Sequence, residues 1–273
     1  MTTTRKVFVA FALFTASFSM ASGAMAASCS KTSAGFDGWV VEFQNEAAAQ
    51  GISQQTLGKV FSNVSYNKAT IRADRGQKSF TLSLQQFLNK RGATTIVSRG
   101  KKMKRANAAL FASIEQRYGV PAGPLIAIWG METGFGSYMG KEHTLSAVST
   151  LAFDCRRSAY FTDQLYAALR LVENGTLPLN AKGAAHGEIG QTQFLPKNVL
   201  KYGVDGDGNG RIDMVGSRAD ALASTANFLR GHGWQAGGGY QPGEANYGAI
   251  QGWNAASVYQ QAIAVMGAQI DGQ

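Results

Sequence analysis

The stretch that decides the fold is Gly119-Val120-Pro121-Ala122-Gly123-Pro124-Leu125-Ile126-Ala127-Ile128-Trp129-Gly130-Met131-Glu132-Thr133-Gly134-Phe135-Gly136. It reads as a short helix with both ends marked. Pro124 suits the first helical position, where its missing N–H has no partner to lose. Gly134 and Gly136 suit the exit, where glycine adopts positive φ without strain. Leu125, Ile128 and Trp129 precede Glu132 at spacings that place all four side chains on one face. That face is apolar and carries a single carboxylate. Burial and the negative end of the helix dipole both disfavour its ionised form, as a general acid requires. A solvated, structural carboxylate at a helix rim is the other reading of this stretch alone.

Outward from this helix the chain reads as mainly α. Phe36, Trp39, Val40 and Phe43 make a helical stripe, and Ser53 caps a second helix carrying Thr56, Leu57, Val60 and Phe61. Tyr66 to Arg75 shows no helical period and reads as a connector. Ser79 to Asn89 resumes a helix that Gly92 stops. Lys101, Lys102, Lys104 and Arg105 read as a solvated helix start, before a helix with Phe111, Ile114 and Tyr118 on one face. Thr144 to Phe153 and Tyr160 to Leu171 read as two more helices. Pro178 to Gly187 reads as loop, and short extended pieces near 187–195 and 211–215 are candidates to pair.

The first residues read as a targeting segment. Arg5 and Lys6 precede an apolar run from Val7 to Phe18, and Ala24-Met25-Ala26 is a small-residue cleavage signal. Residues 1–27 are therefore expected to be a signal peptide and 28–273 the mature protein. The residues around Cys29 make a poor lipobox, which argues against lipid anchoring and for a soluble exported protein; a monomer is expected. Losing Arg5 and Lys6 lowers the net charge from +9 to +7. A basic surface outside the cytoplasm points to an anionic wall polymer or membrane surface, with peripheral envelope association, and not to nucleic acid. Export also favours a disulfide between the two cysteines, Cys29 and Cys155.

Asp205-Gly206-Asp207-Gly208-Asn209-Gly210-Arg211-Ile212-Asp213 follows the first nine positions of an EF-hand calcium loop. Oxygen donors fall at Asp205, Asp207 and Asn209, with a backbone carbonyl at Arg211 and a further contact at Asp213. Gly216 stands where the closing glutamate belongs. Asp220, four residues later, is the candidate to close a lengthened loop. An Asx-rich turn without an ion is the other reading. His143, His186 and His232 have no metal spacing, and no nucleophile elbow is present.

Together these pieces resemble the lytic murein transglycosylase B family, glycoside hydrolase family 103. Gly130-Met131-Glu132-Thr133-Gly134-Phe135-Gly136 is similar to its catalytic helix end, and Arg156-Arg157-Ser158-Ala159-Tyr160-Phe161 to its arginine pair. Thr192-Gln193-Phe194-Leu195-Pro196 resembles its G-Q-F-x-P turn, with Thr192 in place of a glycine. Asp220-Ala221-Leu222-Ala223-Ser224-Thr225-Ala226-Asn227 and Gly231-His232-Gly233-Trp234 resemble the helix after its calcium loop. Asp74 to Phe80 is similar to an upstream family segment. Trp253-Asn254 and Tyr259 resemble its Y-N…Y pair, with Trp253 and Phe228 departing from the tyrosines found there.

The resemblance implies a lysozyme-like core over 101–273, an additional helical part over 36–100, and a small EF-hand-like calcium loop over 205–220. It implies cleavage of the MurNAc–GlcNAc bond of peptidoglycan without net hydrolysis. Glu132 would protonate the leaving oxygen and then deprotonate the MurNAc 6-hydroxyl, giving a 1,6-anhydro end. Gln193, Phe194, Trp253 and Tyr259 would bind the glycan, and Arg156 and Arg157 would pair with wall carboxylates. Calcium would be structural, and no cofactor would serve the chemistry. A muramidase-type hydrolase using Glu132 with Glu188, and a non-catalytic calcium-stabilised wall-binding protein, remain as alternatives.

Overall fold

The chain folds around its most apolar segment. The computed structural model describes residues 27–76 and 82–273, and among these it forms thirteen helices. The central one, α7 (Ala122–Thr133), is buried at every residue except Glu132. A helix that is apolar all round must be enclosed by other elements. It begins two residues before the expected start. Pro121 caps it and Pro124 takes the third position, which is still in the first turn, where N–H groups have no intrahelical partner. Gly134 ends it at φ 57°, and Phe135 follows in the same left-handed region at φ 65°.

Four helices enclose α7: α5 (Ala93–Ala106), α6 (Ala108–Tyr118), α11 (Arg218–Gly231) and α13 (Ser257–Asp271). The approach of α13 is close enough that a Cβ on Gly123 would collide with the Gly267 carbonyl. Asp271 accepts hydrogen bonds from the Gly123 N–H at 2.9 Å and from Lys104 Nζ at 2.7 Å, which places an anion at the positive end of α7. The Lys101–Arg105 run therefore lies in the last turns of α5, not at a helix start.

A second group of helices packs on α8 (Thr144–Phe153) and α9 (Ser158–Glu173). Phe36, Trp39 and Phe43 of α1 (Phe36–Ala49) line one face, the first two packing on Phe153 and the third on Phe61 and Tyr166. The Ser53 side chain caps α2 (Gln54–Phe61), accepting from the Thr56 N–H. The expected connector at 66–75 is instead α3 (Lys68–Arg75), capped by Asn67. Its buried stripe is Thr70, Ile71 and Asp74, two of them polar, so hydrophobic spacing alone does not show it. A capping box of Ser83 and Gln86 starts α4 (Leu84–Arg91), and Gly92 ends it in the left-handed region.

The only sheet among the described residues pairs β1 (Glu142–His143) antiparallel with β2 (Lys182–Gly183). The pieces at 187–195 and 211–215 meet through single bonds, not a ladder. Gln191 donates from N–H to the Met214 carbonyl at 2.9 Å and from Nε2 to Val215 at 3.0 Å. Cys29 and Cys155 are bonded, and a Ser30–Asp154 bridge lies beside them, tying the start of the described chain to the α8–α9 junction. No helix of the described residues is long and apolar enough to cross a membrane. The expected signal peptide lies outside the described residues except for Ala27, as do residues 77–81 of the Asp74–Phe80 segment and of the helix expected from Ser79.

Candidate active site

Glu132 is the one residue of α7 that reaches an open space. It faces a cleft of about 470 Å³ lined by Arg91, His186, Glu188, Gln193, Asn198 and Tyr259, among others. Two side chains from the C-terminal part of the chain grip a single oxygen of its carboxylate. Tyr259 Oη donates to Oε1 at 2.7 Å and Trp253 Nε1 donates to Oε1 at 3.2 Å. Trp253 ends α12 (Tyr247–Trp253) and Tyr259 lies in the first turn of α13. Among the described residues, none bonds Oε2. The gripped oxygen therefore fixes the carboxyl plane and leaves Oε2 to carry a proton.

Burial raises the pKa of Glu132. The Tyr259 and Trp253 hydrogen bonds and the charge of Arg91 oppose this, and the charge of Glu188 adds to it. Burial wins, so Glu132 holds its proton to higher pH than a free glutamate. Burial and the Glu132 charge push Tyr259 well above its ordinary value, so it remains a donor. The backbone after Glu132 is held by Thr133, whose hydroxyl donates to the Gln191 carbonyl at 2.6 Å and accepts from the Gly136 N–H at 2.9 Å.

Gln193 adopts φ 56°, a left-handed conformation rare for a side-chain-bearing residue and found at functional sites. Its Nε2 donates to the Gly190 carbonyl at 2.8 Å. Phe194 is buried and packs its ring edge-on against Trp253 and Phe228, so it supports the tryptophan instead of offering an open platform. Trp253 and Tyr259, expected as glycan contacts, hold the acid itself.

The arginine pair is not a free carboxylate receptor. Arg156 and Arg157 both pair with Asp74, a carboxylate only 2% exposed on α3. Arg156 also donates to the Asp74 backbone carbonyl at 2.8 Å. Burial alone would raise the Asp74 carboxyl, but the two guanidinium groups hold it below the usual carboxylate value. On its other side Asp74 faces His186 Nε2 at 3.6 Å, and His186 lines the cleft. Arg91 and Asn198 also line the cleft and carry no sequence signal that marks them, whereas Asn254, also in the lining, belongs to the Trp253-Asn254 pair read from the sequence.

Carboxylate oxygens of Asp205, Asp207 and Asp220 lie within 4.8 Å of one another. This donor set of hard oxygens fits a calcium ion. Asp220 is buried and accepts from the Gly206 N–H at 2.8 Å and the Asp213 N–H at 2.7 Å, bracing both ends of the loop. Asp213 turns the other way, accepting from the Val215 and Gly216 N–H groups. Asn209 accepts from the Arg211 N–H at 3.0 Å.

A family model for the transglycosylase SLT domain matches residues 35–243. Membrane-bound lytic murein transglycosylase B of Escherichia coli (strain K12) is 40% identical over 124 residues, 45% of this chain and 34% of that protein. The chain thus matches about a third of that relative's length. SltB3 from Pseudomonas aeruginosa, solved in complex with NAG-anhNAM-pentapeptide, has a TM-score of 0.81 at 29% identity, covering 87% of this chain and 80% of its own. Escherichia coli Slt35, solved in complex with calcium, has a TM-score of 0.74 at 23% identity, covering 85% and 92%, and shares the fold. The mainly α, lysozyme-like fold expected from the sequence is the fold of these structures.

Proposed function

We propose, from the premise that this chain belongs to the transglycosylase SLT domain family, that it is a lytic transglycosylase of peptidoglycan. It cleaves the bond between MurNAc and GlcNAc and leaves a 1,6-anhydroMurNAc end, the kind of sugar bound in the SltB3 complex. The observation that carries this reading is the setting of Glu132. A partly buried carboxyl with both donors on Oε1 can give its Oε2 proton to the leaving glycosidic oxygen. Once ionised, it is stabilised by Tyr259, Trp253 and Arg91. It can then take the proton of the MurNAc 6-hydroxyl as that oxygen attacks C1. Gln193 faces the sugars from the cleft wall. Arg156 and Arg157 serve this site through Asp74, which they hold as a carboxylate beside His186.

Glu188 lines the same cleft, which is the observation favouring a second reading, a hydrolase with Glu132 as acid and Glu188 as base. The sugar end formed on cleavage separates the two. Glu132→Gln tests either: it should keep glycan binding and lose at least about 10²-fold in turnover, because the amide carries no transferable proton. A variant retaining a tenth of the wild-type rate would rule Glu132 out as the acid.

Asp205, Asp207, Asn209, the Arg211 carbonyl and Asp220 would hold a calcium ion, with Asp213 in contact directly or through water. The ion would neutralise crowded carboxylates and fix the loop between the Gln193 segment and α11. The place of action is the cell envelope, in keeping with the membrane-bound Escherichia coli relative. A cleaved signal peptide would deliver the chain to the periplasm as a monomer without a lipid anchor.

A further inference from the structure

Glu188 is the second carboxylate of the cleft, and the fold fixes it with more contacts than a surface residue needs. His186 Nδ1 lies 3.0 Å from Glu188 Oε1, and the His186 N–H donates to Oε2 at 2.9 Å. Behind the imidazole stands Asp74, itself neutralised by Arg156 and Arg157. The backbone is pinned as well. Gly187 sits at φ 84° with no room for a Cβ against Val148, and Gly183 has none against the Glu188 carbonyl. Burial opposes ionisation of Glu188, but its bonds to His186 outweigh that and hold it below the usual carboxylate range. Glu132 and Glu188 therefore face one cleft with their carboxyls shifted in opposite directions, Glu132 towards holding its proton and Glu188 towards the anion.

We propose that Glu188 receives the N–H of the 2-acetamido group on the MurNAc at the scissile bond, aims its carbonyl oxygen at C1, and balances the positive charge that develops there. This rests on the transglycosylase reading above. In the first step the Glu132 proton moves to the leaving O4, the C1–O4 bond breaks, and the acetamido oxygen bonds C1. The product is an oxazolinium whose charge is shared with the N–H facing Glu188. In the second step O6 bonds C1, the C1–acetamido bond breaks, and the O6 proton returns to Glu132. Atoms and charge balance without a further reactant. Glu132 cannot serve both ends, because it must be free to take the O6 proton. Of the residues lining the cleft, Glu188 is the other carboxylate. Each of its oxygens keeps a lone pair after bonding His186. An anion facing a charge that appears only during reaction stabilises the transition state more than the ground state.

The test is Glu188→Gln in the full mature chain, assayed on purified sacculi and against GlcNAc-thiazoline, a stable mimic of the oxazolinium. The expected result is a kcat lower on the order of 10²-fold with KM within a few-fold, and thiazoline binding weakened in parallel. Turnover and thiazoline affinity within about threefold of wild type overturn the proposal. Lost turnover with unchanged thiazoline affinity also overturns it, since Glu188 would then be only a structural cap. So does a wild type whose products carry reducing ends that Glu188→Gln converts to anhydro ends, which would make Glu188 the base for water. If Glu188→Gln does not fold, His186→Gln carries the test: with Glu188 unanchored, thiazoline affinity should fall, and an unchanged value refutes the proposal. A wild type that releases no anhydro ends sinks the function itself; a working wild type with an indifferent Glu188→Gln sinks only this inference.

Discussion

Replacing Asp74 by asparagine should cost the fold about 3 kcal/mol at neutral pH. The carboxylate is 2% exposed, is paired with Arg156 and Arg157, and faces His186 at 3.6 Å. Removing one partner of a buried ion pair costs about 3–5 kcal/mol, because the charges left behind are uncompensated. Here the two guanidinium side chains are 43% and 34% exposed, so water screens part of that penalty and the low end applies. At about 2–4 °C per kcal/mol for a chain of this size, Tm should fall by about 6–12 °C. The pH dependence has a definite sign. The folded state holds the Asp74 carboxyl below its ordinary value of 3.8. Its stabilisation is thus present above that value and is lost as pH falls through the folded-state value. Wild type and Asp74→Asn should converge in acid. Thermal unfolding followed by circular dichroism at neutral pH and through a series of acid pH values descending from 3.8 measures both. A loss under about 1 kcal/mol at neutral pH, or a gap that persists in acid, would refute this account of the arginine pair.

Three further outcomes follow from the same structure. Glu132 is raised above its ordinary 4.5 by burial, so its ionisation costs stability as pH rises from that value through the folded-state pKa. Glu132→Gln should therefore melt higher than wild type at neutral pH and match it below pH 4.5; an equal or lower Tm at neutral pH contradicts the buried-acid reading. Calcium added to chelator-treated protein should raise the melting point, worth roughly 2.7 kcal/mol at a hundredfold excess over Kd, and Asp205→Ala should abolish the rise. An unmoved wild-type curve at millimolar calcium removes the ion from the account. Reducing Cys29–Cys155, which closes a separation of 126 residues, should cost about 2–4 kcal/mol of stability and leave folded-state turnover intact. Turnover lost while the reduced protein remains folded would show that the bridge shapes the cleft.

Local signals read well where the chain carries its own punctuation. Ser53, Gly92 and Gly134 mark helix ends that stand where their chemistry requires. The helix α3 escaped because its buried stripe contains Asp74, and a carboxylate at a core position looks like a surface residue until its partners are known. Those partners, Arg156 and Arg157, lie 82 and 83 residues away in sequence, so the pair reads as a receptor for external anions. The position of Glu132 on an apolar helix was legible, because apolar spacing and glycine exits surround it. Its grip by Trp253 and Tyr259 was not, since these bonds span 121 and 127 residues. Arg91 is one cation among several near the end of α4, and only the packing of that helix at the cleft singles it out.

The central claim is that one partly buried acid, Glu132, opens the glycan bond and closes it on the sugar's own hydroxyl. Digesting purified sacculi with the wild-type protein and weighing the released muropeptides by mass spectrometry tests this most directly. The account predicts products lighter by one water than hydrolysed sugars and lacking a reducing end. Products that carry the water and reduce with borohydride would contradict it and make the protein a muramidase.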